Sequence, residues 1–215
     1  MNALTVPSHM VGGSAAPRSA LQRAVDTGLL RCAVPIALGG DGGSLLDLAD
    51  RVRRLRDDDP QAARMVGAQR LAIEALVHAR NVALRELWLP DLLNGQRAGT
   101  VALGHAPLWG NEGARRSWLL TGQLAGLANL PWEGFSLVAP VRLGDDPPVW
   151  VLLRSEEDGL SVQTSGDQGS FGGLSTVHID KVFFRVDEWL GGPELGGHLA
   201  PVAAALSVGT SHTSN

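Results

Sequence analysis

The residues best suited to bind a flat cofactor are four aromatic side chains near the middle of the chain. They are Trp109, Trp118, Trp132 and Phe135. Loops that contain glycine and asparagine, at 110–111 and 128–130, lie beside them in the sequence. A flat cofactor can lie against such an aromatic surface. Each tryptophan by itself is also typical of the core of a β domain, so the residues alone leave both interpretations open.

A glycine-rich segment is the first possible anion site. It reads Gly39-Gly40-Asp41-Gly42-Gly43-Ser44 and precedes a predicted helix, whose N-terminal amides attract anions. A phosphate-binding loop of the common type also carries a lysine, and this segment has none. The segment is therefore predicted to be a structural turn.

A run of arginines is the second possible anion site. It consists of Arg51, Arg53, Arg54 and Arg56, and three aspartates at 57–59 follow directly. Opposite charges so close together favour a solvated helix surface over a ligand site.

Metal ligands and catalytic nucleophiles lack the expected spacing. The six histidines, at 9, 78, 105, 178, 198 and 212, never lie three or four residues apart. His178 and Asp180 share one strand face, which is too few ligands for a metal site. No G-x-S-x-G nucleophile motif occurs, and the lone Cys32 among apolar neighbours is expected to be a buried, inert thiol. The sequence predicts no metal site.

Composition excludes several classes of protein. The chain has 215 residues, a formal net charge of −4 and a single cysteine, which excludes a disulfide framework. The charge argues against a dedicated nucleic-acid binder. No apolar run reaches the about 18 residues that a membrane span needs, and the N-terminal residues lack the core of a signal peptide. A cytoplasmic protein is expected.

Hydrophobic spacing divides the chain into a helical and a β part. Residues 1–18 are predicted to be a flexible arm, and 19–97 a helical domain in which Ser44 caps one helix, helped by Asp47. Residues 98–192 contain six short β-branched or alternating segments separated by turns, and 193–215 are predicted to be a flexible tail. The predicted fold is α+β: an N-terminal helical domain followed by an antiparallel β-barrel or sandwich middle domain.

The order of these segments resembles the acyl-CoA dehydrogenase superfamily between about residues 20 and 192. The resemblance is carried by Gly39–Asp47, by Trp88-Leu89-Pro90 through Asn94-Gly95-Gln96, by Leu120-Thr121-Gly122-Gln123, and by Ser175–Phe184 followed by Trp189-Leu190-Gly191. In that family a C-terminal four-helix domain follows, and flavin adenine dinucleotide (FAD) lies between it and the middle domain. The resemblance implies that this chain stops after the middle domain, and that a helical partner subunit or a homo-oligomer completes an FAD site for an acyl thioester or similar substrate.

The family's flavin motifs are altered in this chain. The stretch T-E-x-x-x-G-S-D corresponds to 103–111, and W-I-T-N to 126–132. The resemblance implies that the cofactor-binding residues are Leu103, His105, Gly110, Asn129 and Trp132. The family's catalytic glutamate belongs to the C-terminal domain, so no base can be named here.

Two classes of function follow from these observations. The first is a flavin-dependent oxidoreductase subunit that acts with a partner chain. The alternative is a non-redox scaffold or regulatory protein, or a cofactor-free enzyme that reuses the flavin cavity. In a cofactor-free enzyme His105 is the acid–base candidate, because an unperturbed histidine titrates near neutral pH; a backbone-bonded loop residue is the competing role for it. An inactive, truncated product is a third possibility.

Overall fold

Helices occupy the first half of the computed structural model, which describes residues 16–113, 117–130, 134–164, 173–185 and 188–207. They are α1 (Ala16–Asp26), α2 (Leu45–Asp58), α3 (Pro60–Val77) and α4 (Val82–Leu93), with a 3₁₀ turn at Ile36–Leu38. The predicted cap of α2 is confirmed: Asp47 N donates to Ser44 Oγ at 3.2 Å, and Ser44 N donates to Asp47 Oδ2 at 3.1 Å. Helix α1 begins three residues inside the predicted arm, and residues 1–15 lie outside the described part.

The second half contains strands. They are β1 (Ala98–Val101), β2 (Leu108–Glu112), β3 (Ser117–Leu127), β4 (Phe135–Leu143), β5 (Val149–Arg154), β6 (Leu160–Thr164), β7 (Ser175–Arg185) and β8 (Trp189–Gly191). Their order in the sheet is β6-β7-β3-β2-β4-β5-β8, with β1 also paired to β4. Helices followed by strands confirm the α+β class.

The sheet is mixed, whereas the sequence predicts an antiparallel one. Both β1 and β2 run parallel to β4, with Ala98 opposite Phe135 and Leu108 opposite Val141. They follow successive stretches of β4 in the same direction, separated by the loop 102–107. The other strand pairs are antiparallel. Strands β2 and β8 were missed because they are short and carry glycine and tryptophan instead of alternating β-branched residues.

A fifth helix, α5 (Glu194–Ser207), replaces most of the predicted flexible tail. That prediction is wrong for 194–207. Its buried residues are Leu195, Leu199, Val202 and Leu206. Spacings of four, three and four place them on one helical face, which packs against α2 and α3. Glycines, alanines and Pro201 conceal this stripe in the sequence, and 208–215 lie outside the described residues.

Strands β4 and β5 are covered on both faces. Val138 and Leu152 belong to a hydrophobic cluster that includes α3, α4 and α5. Their neighbours Leu137, Val151 and Leu153 belong to a second cluster, shared with β3 and β7. Alternation along a strand sends successive side chains to opposite faces. The helices therefore pack directly on the sheet, and the first half of the chain can influence the position of the strands.

Arg97, between α4 and β1, bonds to several groups at once. Its guanidinium donates to Ser136 Oγ at 2.7 Å, to the Phe135 carbonyl oxygen at 2.5 Å and to both Glu156 carboxylate oxygens at 3.1 and 2.8 Å. The Arg97 Cζ atom lies 4.6 Å from the centre of the Trp88 ring. One side chain therefore joins α4, β4 and the turn after β5.

Glu156 should make the stability of the protein depend on pH in acid solution. Hydrogen bonds from Arg97 are the main cause that lowers the pKa of Glu156 from 4.5 to about 2. A depressed pKa in the folded state stabilises the protein above the pKa of the unfolded state, and this contribution is lost as pH falls from about 4.5 towards about 2. Glu156→Gln should reduce the slope of unfolding free energy against pH in that window, measured by urea denaturation.

The control for this measurement is Glu157→Gln, which changes the adjacent carboxylate, bonded to Arg154 instead. It should leave the slope near its wild-type value. Equal slopes in the wild type and Glu156→Gln would contradict the role of Glu156.

Candidate functional site

Two of the segments chosen from the sequence meet in the structure. His105, in the loop between β1 and β2, has its Nε2 atom 2.8 Å from the Ala125 carbonyl oxygen near the end of β3. A carbonyl only accepts, so Nε2 carries the proton and donates it. The other ring nitrogen, Nδ1, is then an acceptor; it is buried and has no hydrogen-bond partner among the described residues. Leu103 lies half-buried in the same loop.

Backbone without side chains flanks this contact on both segments. Gly104 precedes His105, and Gly126 follows Ala125. Their φ angles are +80° and +74°, and no heavy atom lies within 4 Å of the place where a Cβ would stand. Open backbone of this kind allows a flat ligand to approach closely. Sequence reasoning did not single out either glycine; only the open space beside both of them marks these positions.

Asn129 follows β3 but points into the interior. It is 2% exposed and has a φ of +61°. Its Nδ2 atom donates to Gln69 Oε1 at 2.8 Å and to the Gly99 carbonyl oxygen at 2.9 Å. Its amide protons are therefore donated to protein atoms, and the side chain holds the end of β3 against β1.

Gly110 lies on β2, away from the contact between His105 and Ala125. A Cβ there would stand 2.4 Å from Leu143 Cδ2 on β4, well inside van der Waals contact. Close packing of β2 against β4 therefore requires a glycine at this position. Of the five residues implied to bind a cofactor, Leu103 and His105 lie in one loop, Asn129 turns inward to Gln69 and Gly99, and Gly110 lies on β2. Trp132 lies outside the described residues.

The aromatic cluster is dispersed by the fold. Trp109 is 59% exposed on the outer face of β2, with Arg142 Cζ 6.0 Å from its ring centre. Trp118 packs against the core shared by β3 and β7, and Phe135 is fully buried in that core. Trp109, Trp118 and Phe135 therefore do not form one surface, and of these three Trp109 is open to a ligand or partner.

The glycine-rich turn has the geometry of a structural element. A Cβ on Gly40 would lie 2.2 Å from the Val34 carbonyl oxygen. A cleft of about 330 Å³ adjoins this turn and is lined by Cys32, Asp41, Gly42, Gly43, Asp47, Asp50, Arg51 and Arg54. Hydrogen bonds from the Ser44 side chain and backbone lower the pKa of Asp47. A carboxylate already occupies the helix N-terminus, which agrees with the prediction of a structural turn.

The described ranges hold no group of three or more His, Cys, Asp or Glu residues arranged to bind a metal ion. Cys32 is a buried free thiol, as expected. The Nε2 atom of His178 lies 3.3 Å from Gln163 Oε1. None of the helices in the described part of the chain combines the length and hydropathy that a membrane crossing requires.

Comparison with known proteins identifies the family. No curated protein matches the chain. Residues 8–96 match the family model of the acyl-CoA dehydrogenase N-terminal domain. The N-terminal part of the chain is thus similar in sequence to the N-terminal domain of acyl-CoA dehydrogenases. The resemblance inferred from its motifs is thereby confirmed.

Solved structures share the acyl-CoA dehydrogenase fold with this chain. A glutaryl-CoA dehydrogenase from Mycobacterium smegmatis in complex with FADH2 is 16% identical with a TM-score of 0.75; the match covers 87% of this chain and 51% of that one. An acyl-CoA dehydrogenase from Bacillus anthracis complexed with FAD is 17% identical with a TM-score of 0.72. That match covers 85% of this chain and 34% of the other. A chain of the ChsE4-ChsE5 complex from Mycobacterium tuberculosis is 20% identical with a TM-score of 0.64. That match covers 86% of this chain and 50% of the other. The chain thus spans about half the length of the glutaryl-CoA dehydrogenase.

Proposed function

We propose that this chain forms one part of an FAD site in an oxidoreductase that acts on acyl thioesters or related substrates. A partner chain or a second copy completes the site. The observation that carries the proposal is the meeting of the β1–β2 loop with the end of β3 through His105 and Ala125, beside two open glycines. The complexes of similar dehydrogenases with FADH2 and with FAD support it.

The residues around this contact fit a flat, polar-edged ring. Leu103 offers an apolar surface, and the bare backbone at Gly104 and Gly126 leaves room for a planar group. The imidazole of His105 stands next to Gly104 in the chain and is held in place by its bond to the Ala125 carbonyl oxygen. A bound flavin supplies the capacity to accept a hydride equivalent from the substrate.

The chain's own residues bind and orient the cofactor in this proposal. The hydrogen bond from His105 Nε2 to the Ala125 carbonyl oxygen fixes the orientation of the imidazole. The bond keeps the Nε2 proton on the protein side and ties the β1–β2 loop to the end of β3.

A partner would find an apolar surface on the outer face of the sheet. Phe183 on β7 is 56% exposed and lies opposite Leu119 on β3, and Trp109 on the next strand is 59% exposed. Phe183 and Trp109 therefore stand on either side of β3, and large exposed apolar side chains near one another are typical of interaction sites. One similar structure is itself a complex, ChsE4-ChsE5.

FAD titration of the full chain tests the proposal. We expect saturable binding, seen as quenching of flavin fluorescence and as a visible absorbance band that is retained on gel filtration. Gly126→Ala should raise the Kd for FAD by about tenfold, because its methyl group would occupy the space next to the ring. Wild-type protein that shows no saturable binding up to millimolar FAD would contradict the proposal and favour the non-redox alternative.

The matched control is Gly144→Ala in the turn after β4. Gly144 also has a positive φ, +65°, and open space around its Cβ position. Both substitutions therefore introduce the same backbone strain, and only Gly126→Ala should weaken FAD binding.

A further inference from the structure

Gln69, on α3, lies outside the motifs of the sequence and has no exposed surface. Its Nε2 atom donates to the carbonyl oxygens of Leu92 and Arg97, both at 2.9 Å. Its Oε1 atom accepts from the Gly99 backbone N–H at 2.6 Å and from Asn129 Nδ2 at 2.8 Å. The amide therefore joins α3 to the end of α4, the start of β1 and the end of β3.

The hydrogen-bonding capacity of this amide is fully used. A glutamine side chain has two N–H donors and one carbonyl oxygen with two lone pairs. All four positions are occupied, and the Asn129 amide adds a bond to the Gly99 carbonyl oxygen. Fully satisfied buried polar networks specify a single arrangement of the segments that they join.

Both segments that Gln69 holds lead to the proposed flavin site. Gly99, on β1, lies four residues before Leu103 in the chain, and Asn129, two residues beyond the end of β3, lies four residues after Ala125. A Cβ on Gly99 would stand 2.6 Å from the Ala72 Cβ atom, so β1 lies directly on α3. The bond between His105 and Ala125 joins the same two segments at one point, and the Gln69–Asn129 pair joins them at another.

We propose that Gln69, acting through Asn129, is a positioning residue that sets the spacing between the two walls of the flavin site. This inference rests on the proposed function for its link to flavin. Gln69 is buried and touches no ligand itself. The helical half of the chain thereby controls the shape of a site that is built from the β half.

Hydrogen exchange tests the positioning role without any cofactor. Gln69→Leu keeps the size of the side chain and removes its four bonds. We expect amides at 100–105 and 124–130 to exchange on the order of tenfold faster in this variant. The control is Leu76→Ala, which opens the same helical core at a fully buried position without any bond to β1 or β3. This variant should lower the melting temperature and should not increase exchange selectively in these segments.

A second variant removes the bond between Gln69 and Asn129 from the other side. Asn129→Gly places glycine, which adopts a positive φ readily, and removes the side chain that bonds to Gln69 and to the Gly99 carbonyl oxygen. It should reproduce the local increase in exchange even if Gln69→Leu folds poorly. Unchanged exchange in Asn129→Gly would overturn the positioning role. An equal increase at 100–105 and 124–130 in Leu76→Ala would overturn it as well.

FAD titration then links the two proposals. If the wild type binds FAD, Gln69→Leu should raise the Kd by about tenfold, or about 1.4 kcal/mol, and Leu76→Ala should not. An unchanged Kd in Gln69→Leu overturns the link to the site. A wild type that does not bind FAD overturns the proposed function, and the exchange measurements still decide whether Gln69 positions the two segments.

Discussion

Replacement of Arg97 by methionine should lower the free energy of unfolding by about 3 kcal/mol. Methionine keeps much of the aliphatic bulk but cannot donate a hydrogen bond. Ser136 Oγ, which is fully buried, would lose its donor, and the Phe135 carbonyl oxygen would lose one of its two. The Trp88 ring would also lose its cation. The pair with Glu156 contributes less, because that carboxylate is 54% exposed.

Urea denaturation at neutral pH measures this effect, and Arg154→Met is the matched control. Arg154 also pairs with a glutamate, Glu157, but its side chain is 44% exposed. Exposed ion pairs contribute at most about 1 kcal/mol. If the two variants lose equal stability, the buried bonds of Arg97 do not have the importance inferred from their geometry.

Leu199→Ala in α5 should lower the free energy of unfolding by about 3 kcal/mol. Leu199 has no exposed surface and belongs to the cluster formed by the helices and β5. Removal of its terminal carbon atoms leaves a cavity that the packed helices cannot fully close. A flexible tail, as the sequence predicts, would give no change. Thermal or urea unfolding of the full chain distinguishes the two.

The control for the tail is Ala204→Ser on the exposed face of α5. It should change stability by no more than about 0.5 kcal/mol. Wild-type stability in Leu199→Ala would mean that α5 does not pack on α2 and α3 in solution.

Local patterns in the sequence account for a large part of the fold. The spacing of apolar residues predicts the helices at 44–56, 61–80 and 82–94, and the pair Ser44 and Asp47 predicts where α2 begins. These features depend on contacts between residues three or four apart, so the sequence contains them directly. The ordered motifs from Gly39 to Gly191 are enough to recognise the family.

Partners that are distant in sequence decide the remaining features. The parallel pairing of β1 and β2 with β4 depends on which edges meet after folding, and two short strands carry no local signal of it. The stripe that buries α5 becomes visible only against α2 and α3. A lone glutamine and a lone asparagine look alike whether they face solvent or the interior, until their four partners are known.

The sequence by itself therefore determined the class of fold, the family and the two segments, around Leu103 to His105 and around Asn129, where a site is expected. Only the tertiary structure decided the orientations there. It turned Asn129 inward to Gln69, separated Gly110 from His105 and opened the backbone at Gly104 and Gly126. The physical reason is that side-chain direction and free space depend on packing between segments that local propensity does not specify.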